Sequence, residues 1–304
     1  MFDIVTVGHF VIDSIYLPVR RAPFVALGGS VTYVSLAARR LGVRVSVVSK
    51  VGNDFPSDYF LWLKNQGIDL SHILCDKSSK TTRFELKYSE GFSSRTLRLL
   101  SRASSFSVDD FDHFPKSLAV HVGPVAGEIT YEVMGKLRNC GKIISFDPQG
   151  VVRCFDAAGN VTLGPLNDRR VLEHVDIFKS SLREIKSLTS SADLDQAVKT
   201  IHDFGVDIVI VTRGERGAAV SFEGKKYDVP AFVPTKVVDP TGAGDAFIGC
   251  FLAEYIRGKD CFWSSCVGAA GSSLMVESIG AAFSGDSEEI YRRARVLYEK
   301  GIKE

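Results

Sequence analysis

The chain has 304 residues, 45% of them hydrophobic and 24% charged, with 37 Lys and Arg against 36 Asp and Glu for a formal net charge of +1. That balance excludes a disordered, collagen-like or low-complexity main state. Arginine pairs such as Arg20-Arg21, Arg39-Arg40, Arg169-Arg170 and Arg292-Arg293 are scattered, so the basic stripe of a nucleic-acid binder is not visible. No run approaches 18 uninterrupted apolar residues, and no charged n-region followed by an apolar stretch opens the chain. The expectation is a soluble, cytoplasmic protein. Its six cysteines, with no CxxC or Cys/His ligand spacing, read as reduced and mostly buried thiols.

In chain order, residues 4–7 read as a buried strand ending at Gly8, and residues 31–41 carry helical periodicity closed by Gly42. Residues 43–48 form the next strand and 57–65 a helix closed by Gly67. Strands over 118–122, 143–146 and 206–212 then alternate with helices over 129–138 and 194–204. Two long helices, about 243–256 and 287–298, follow. Strands apolar on both faces, alternating with helices, predict a parallel sheet covered on both sides.

Two segments break this rhythm. Residues 11–27 hold strand-type residues around Pro18 and Pro23, and residues 81–100 read as two alternating strands joined through Glu90-Gly91. Alternation implies one exposed or ligand-facing side, so the two segments are expected to pair into a small β-lid.

The sharpest chemical signal is Asp239-Pro240-Thr241-Gly242-Ala243-Gly244-Asp245, set before a helix with Phe247, Ile248, Phe251, Leu252, Tyr255 and Ile256 on an expected amphipathic stripe. Glycines flanking one alanine let backbone N–H groups approach an anion, and the helix adds unpaired N–H groups and its positive dipole end. Asp245, in the first turn, is placed to accept a proton from a hydroxyl attacking a phosphoryl group.

That string resembles the signature of the ribokinase-like (PfkB) carbohydrate kinases, and the similarity runs through nearly the whole chain. Gly8 and Asp13, Gly28-Gly29 followed by Ala37, Leu41 and Gly42, Gly52 and Asp54, and Thr212-Arg213-Gly214-Glu215-Arg216-Gly217 all match family elements. The resemblance implies a three-layer αβα sandwich with a mostly parallel sheet plus the small lid, and ATP-dependent phosphorylation of a hydroxyl. It implies Asp245 as base and Gly242, Ala243 and Gly244 as an anion hole. Asp13, Gly28, Gly29, Gln149 and Arg153 would hold the acceptor, and Lys179, Thr212, Gly214, Gly217 and Thr241 the nucleotide. Glu184 would help organise Mg²⁺, and the surroundings of Asp239 and of residues 278–281 match a K⁺ site of some relatives.

The chain departs from sugar kinases at Tyr33 and Ser181, where they carry Asn, at Gln149 in Asp147-Pro148-Gln149, and in the short span from Asp13 to Gly28. In Val48 to Gly52, Phe146 to Gly150 with Arg153, Phe178 to Ser181 and Asp239 to Thr241 it is more similar to the myo-inositol kinase branch. The expected acceptor is therefore a cyclitol or sugar, best myo-inositol, with ribose, a ketohexose or a nucleoside as alternatives. Pairing of two chains through the lid is expected if its outer edge is apolar. Neither a Walker loop nor a Gly-x-Gly-x-x-Gly is present, which argues against P-loop NTPases and dinucleotide oxidoreductases.

Overall fold

A computed structural model describes residues 1–18, 20–92 and 94–301; Val19 and Ser93, within the two expected lid segments, lie outside the described residues. The chain runs β1 (Phe2–Val7), β2 (Val11–Tyr16), β3 (Phe24–Gly28), α1 (Ser30–Arg40), β4 (Val45–Gly52), α2 (Ser57–Asn65) and β5 (Asp69–Asp76). It continues through β6 (Thr82–Tyr88), β7 (Arg95–Ser101), β8 (Ser117–Val122), α3 (Tyr131–Arg138), β9 (Gly141–Phe146), β10 (Arg153–Phe155) and β11 (Val161–Leu163). Then follow β12 (Ile177–Ser181), α4 (Leu182–Thr189), α5 (Leu194–His202), β13 (Ile208–Thr212), β14 (Ala218–Phe222) and β15 (Lys225–Val229). The chain closes with α6 (Ala243–Tyr255), α7 (Cys261–Val276) and α8 (Ser287–Gly301).

The central sheet has the order β15-β14-β13-β12-β9-β8-β1-β4-β5. Strands β13 to β5 in that order are parallel, and β14 and β15 return antiparallel at one edge. Successive side chains of a strand point to opposite faces, so a strand covered on both sides must be apolar at every position. Ile4, Ile208 and Ile210 join the core beneath α1, α6, α7 and α8, while Val5, Val209 and Val211 join the core beneath α3, α4 and α5. The result is a three-layer αβα sandwich, the expected class.

Helix α6 departs from the expected amphipathic stripe: every residue from Ala246 to Glu254 is buried. It packs between α1 and α7 on the sheet, so over Ala246 to Glu254 no side of it faces water. The cysteines also need correction. Cys250, Cys261 and Cys266 are buried, but Cys75 on the edge strand β5 and Cys154 on the outlying β10–β11 hairpin are exposed; all six are free.

The second sheet has the order β3-β2-β6-β7, with β2 and β6 parallel and the outer pairs antiparallel. Its inner face, Val11, Ile15, Phe84 and Leu86, packs with Val125 and Ala126 above the carboxyl ends of the central strands. Asp54, just after β4, anchors the root of this sheet by accepting the Thr81 N–H (2.7 Å) and pairing with Arg83 (3.1 Å). A crevice between those strand ends and the small sheet is where ligands bind in open α/β folds.

Candidate active site

Gly242, with φ +78°, is the N-cap of α6, and no side chain caps this terminus. A Cβ at Gly242 would overlap the Tyr33 ring, so both the left-handed backbone and the close approach require glycine. The first N–H groups of α6 lack intrahelical partners, the Ala243 N–H donating instead to the Pro240 carbonyl at 3.3 Å, and this terminus borders an open cavity of about 210 Å³. Gly242, Ala243, Gly244 and Asp245 line that cavity together with Asp13, Gly29, Gln149, Arg153, Lys179, Glu184, Thr212 and Thr241. Twelve of the expected site residues, spread from Asp13 to Asp245, therefore meet in one place.

Asp245 Oδ1 accepts the Ser30 hydroxyl at 2.7 Å and the Gln149 side-chain amide at 3.4 Å. Burial pushes its carboxyl up to about 6, against the pull of the Lys179 ammonium. Lys179 donates to Asp147 Oδ2 at 2.6 Å, and both side chains are nearly sealed from solvent. Burial works to lower the Lys179 pKa, yet the Asp147 and Asp245 carboxylates outweigh it, so the ammonium stays charged. A Cβ on Gly244 would come 2.7 Å from Lys179 Nζ, which puts that cation beside the Gly244 backbone.

On another part of the cavity wall, Asp13 is 5% exposed, and among the described residues none donates a hydrogen bond to its carboxyl. Burial raises it to about 7 against the pull of Arg153 and Arg95. The Tyr33 phenol is likewise buried and without a partner, and it lines the same cavity. An unpaired buried polar group costs about 1–3 kcal/mol, so the Tyr33 hydroxyl on this wall points to a ligand that supplies its partner. Arg153 makes no ion pair among the described residues; it donates to the Val125 carbonyl (2.7 Å) and to Gln149 Oε1 (2.8 Å).

Glu184 stands in the first turn of α4, where Oε2 accepts the Ser181 N–H at 2.7 Å in a capping box and the side chain borders the cavity. Gly28 is not on the cavity wall: a Cβ there would overlap Asp13 Oδ2, so its small size makes room for that carboxylate. Gly214 and Gly217 line a second, adjoining cleft of about 810 Å³ with Phe92, Phe232, Val237, Phe247 and Val276, and Thr212 borders both spaces. Thr241 faces the smaller cavity rather than this cleft.

Sequence reasoning missed four contributors. Ser30, Tyr88, Arg95 and Val125 belong to no recognised string, although Ser30 directly follows Gly28-Gly29. Tyr88 and Arg95 come from β6 and β7 of the small sheet. Arg95 donates to the Tyr88 oxygen (3.3 Å), Tyr88 bonds Thr241 Oγ1 (2.8 Å), and Thr241 donates to Asp239 (2.6 Å). Asp239 in turn accepts the Gly280 N–H at 2.9 Å. The small sheet is thereby tied to the loop that precedes α6.

A family profile described as pfkB family carbohydrate kinase matches residues 1–288. The chain is 28% identical over 265 residues to a cytidine kinase of Thermococcus kodakarensis, covering 85% of this chain and 90% of the relative. It is 28% identical over 265 residues to an inositol 3-kinase of Arabidopsis thaliana, covering 84% and 68%. Among solved structures, a pyrophosphate-dependent kinase in the ribokinase family complexed with a pyrophosphate analog and myo-inositol superposes with a TM-score of 0.80 at 25% identity, covering 91% of this chain and 96% of that one.

Proposed function

The chain belongs to the pfkB family of carbohydrate kinases and is a phosphotransferase acting on hydroxyl groups; we propose that it transfers the terminal phosphoryl group of ATP, with Mg²⁺, to a small polyol, best myo-inositol. The observation that carries the choice of acceptor is the size of the 210 Å³ cavity, which must hold both the acceptor and the incoming phosphoryl group. That is below the ~300–1,000 Å³ usual for drug-sized ligands. A single polyol ring suits it better than a nucleoside, which adds a base to its sugar. The unpartnered Asp13 and Tyr33 suit a ring bearing hydroxyls. A second reading, a nucleoside acceptor, is favoured by the cytidine kinase relative, which this chain matches over 90% of that protein's length.

The donor reading rests on the larger cleft. Its 810 Å³ and the apolar Phe232, Val237, Phe247 and Val276 give a nucleobase an apolar seat that pyrophosphate would leave empty. In the reaction, the Asp245 carboxylate takes the proton of the attacking hydroxyl as its oxygen meets phosphorus in line. The amides of Gly242, Ala243 and Gly244, with Lys179 beside them, receive the charge that grows on the phosphoryl oxygens.

Among the described residues no cluster of three His, Cys, Asp or Glu encloses a metal. Mg²⁺ characteristically rides on substrate phosphates with one or two protein carboxylates, and the free part of Glu184 fits that pattern. When bound, Mg²⁺ neutralises charge on the phosphates. K⁺ near Asp239 and residues 278–281 belongs to the same reading. The small sheet acts as the lid, holding water away from the phosphoryl group.

The test is a substrate panel on purified protein: myo-inositol, ribose, fructose and cytidine as acceptors, each with ATP or pyrophosphate plus Mg²⁺. The expected result is kcat/KM at least tenfold higher for myo-inositol with ATP than for any other pair. Preferential turnover of cytidine would favour the second reading, and preferential use of pyrophosphate would overturn the donor assignment.

A further inference from the structure

Glu128 is a fully buried carboxylate that borders neither cavity. Among the described residues no Lys or Arg pairs with it: His9 Nδ1 lies 3.9 Å away, and burial lowers the pKa of that imidazole so that it stays neutral. The two oxygens instead accept backbone N–H groups. Oε1 receives His9 (3.1 Å) and Val125 (2.9 Å), while Oε2 receives Val125 (3.0 Å) and Ala126 (2.7 Å). On one side this grips the root of the lid, because His9 Nδ1 meets Thr82 Oγ1, on the first residue of β6, at 2.9 Å. On the other side it grips the peptide whose carbonyl receives Arg153.

The contacts continue to the reaction centre. Val125 O accepts Arg153 Nη1, Arg153 Nη2 donates to Gln149 Oε1, and Gln149 Nε2 donates to Asp245 Oδ1. A guanidinium only donates, so Arg153 compels Gln149 to turn its oxygen towards it and its NH₂ towards Asp245. We propose that Glu128 is a positioning residue for the base: by fixing the 125–126 peptides it sets Arg153, which orients the Gln149 amide that aims Asp245. Lid root and base are then held by one continuous relay. The kinetic consequence rests on the phosphotransferase reading; the geometry does not.

Glu128→Gln tests the relay, because an acceptor-only group becomes one that presents an NH₂ to backbone N–H groups and must lose at least one of them. Asp245 is also faced by Lys179, Asp147 and Arg153, and loss of the Gln149 donor removes one stabiliser of its ionised form. Carbon-detected NMR titration of Asp245, which needs no activity, should give a midpoint near 6 in the wild type. In E128Q it should rise by about half a unit or more, with a shifted Gln149 side-chain amide signal.

Kinetically, kcat should fall about tenfold while the ATP dissociation constant stays within about twofold. E128Q combined with R153K should cost much less than the product of the single effects. E128D, which keeps the charge, should recover part of kcat and supplies the same readouts if E128Q folds poorly. An unmoved Asp245 midpoint, or effects of E128Q and R153K that multiply, would overturn the relay even where the wild type is an active kinase. A wild type that phosphorylates no acceptor, with the E128Q shift of Asp245 intact, would overturn the phosphotransferase reading and leave the relay standing.

Discussion

Asp245 is kept in an energetically costly state. Its folded pKa near 6 exceeds the ordinary 3.8, so its ionised form is destabilised by burial faster than Lys179 compensates. A carboxyl whose folded pKa is raised favours the folded state at low pH and loses that contribution as pH climbs from about 4 through 6. Asp245→Asn should therefore raise Tm at pH 8, by the equivalent of roughly 1–3 kcal/mol, and bring no gain at pH 4; thermal melts at the two pH values check this. A melt unchanged at pH 8 would show that the carboxylate is better solvated than its burial suggests. At this scale the sequence was highly legible, since the 239–245 string announced both the turn and the acid. It was less so for Tyr33 and Asp13, whose value lies in lacking partners inside the fold. It was silent on Arg95, one arginine among many until β7 brings it to the cavity.

Among the elements, the lid carries the most testable claim. Tyr88 on β6 reaches across to Thr241, whose own hydroxyl is committed to Asp239, so Tyr88 is the donor in that contact. This hydrogen bond latches the lid onto the loop that precedes α6. Tyr88→Phe keeps the ring and removes the latch. It should raise the acceptor KM about five- to tenfold and increase the share of ATP lost to water, measured as ADP formed in excess of phosphorylated acceptor. Tight coupling in Y88F equal to the wild type would contradict the latch.

Periodicity located the elements with one wet face, and α2 begins and ends where the pattern places it, at Ser57 and Asn65. It failed for α7, whose Ser- and Gly-rich sequence is buried along most of its length and so shows no alternation between wet and dry faces. The same burial covers α6 all round from Ala246 to Glu254, where Glu254 is satisfied by Arg257, Trp263 and Tyr291. The β14–β15 hairpin escaped because its strands are short and its outer strand is polar at most positions.

For the molecule as a whole, the alternation of strands and helices predicted a covered parallel sheet, and the register of β1 with both β4 and β8 shows why the site lies where it does. The turns after β1, β4, β8, β9, β12 and β13 all emerge on one edge, so chemistry spread from Asp13 to Asp245 converges there. The lid's strands leave Tyr16, Val25 and Leu100 exposed. The same face also carries Arg83, Glu85 and Lys87, with Lys87 over the Tyr16 ring; we propose that two chains pair through its three exposed apolar positions. Light scattering should then report twice the 33.2 kDa of one chain; a particle of single-chain mass at micromolar concentration would remove the idea.

We propose Asp245 as the base at the mouth of the α6 N-terminus. The most direct test is pre-steady-state phosphoryl transfer by Asp245→Asn, alongside its ATP affinity by calorimetry. The rate constant for transfer should fall about 10²- to 10⁴-fold with ATP affinity within about threefold of the wild type. Transfer at the wild-type rate by the Asn variant would contradict it.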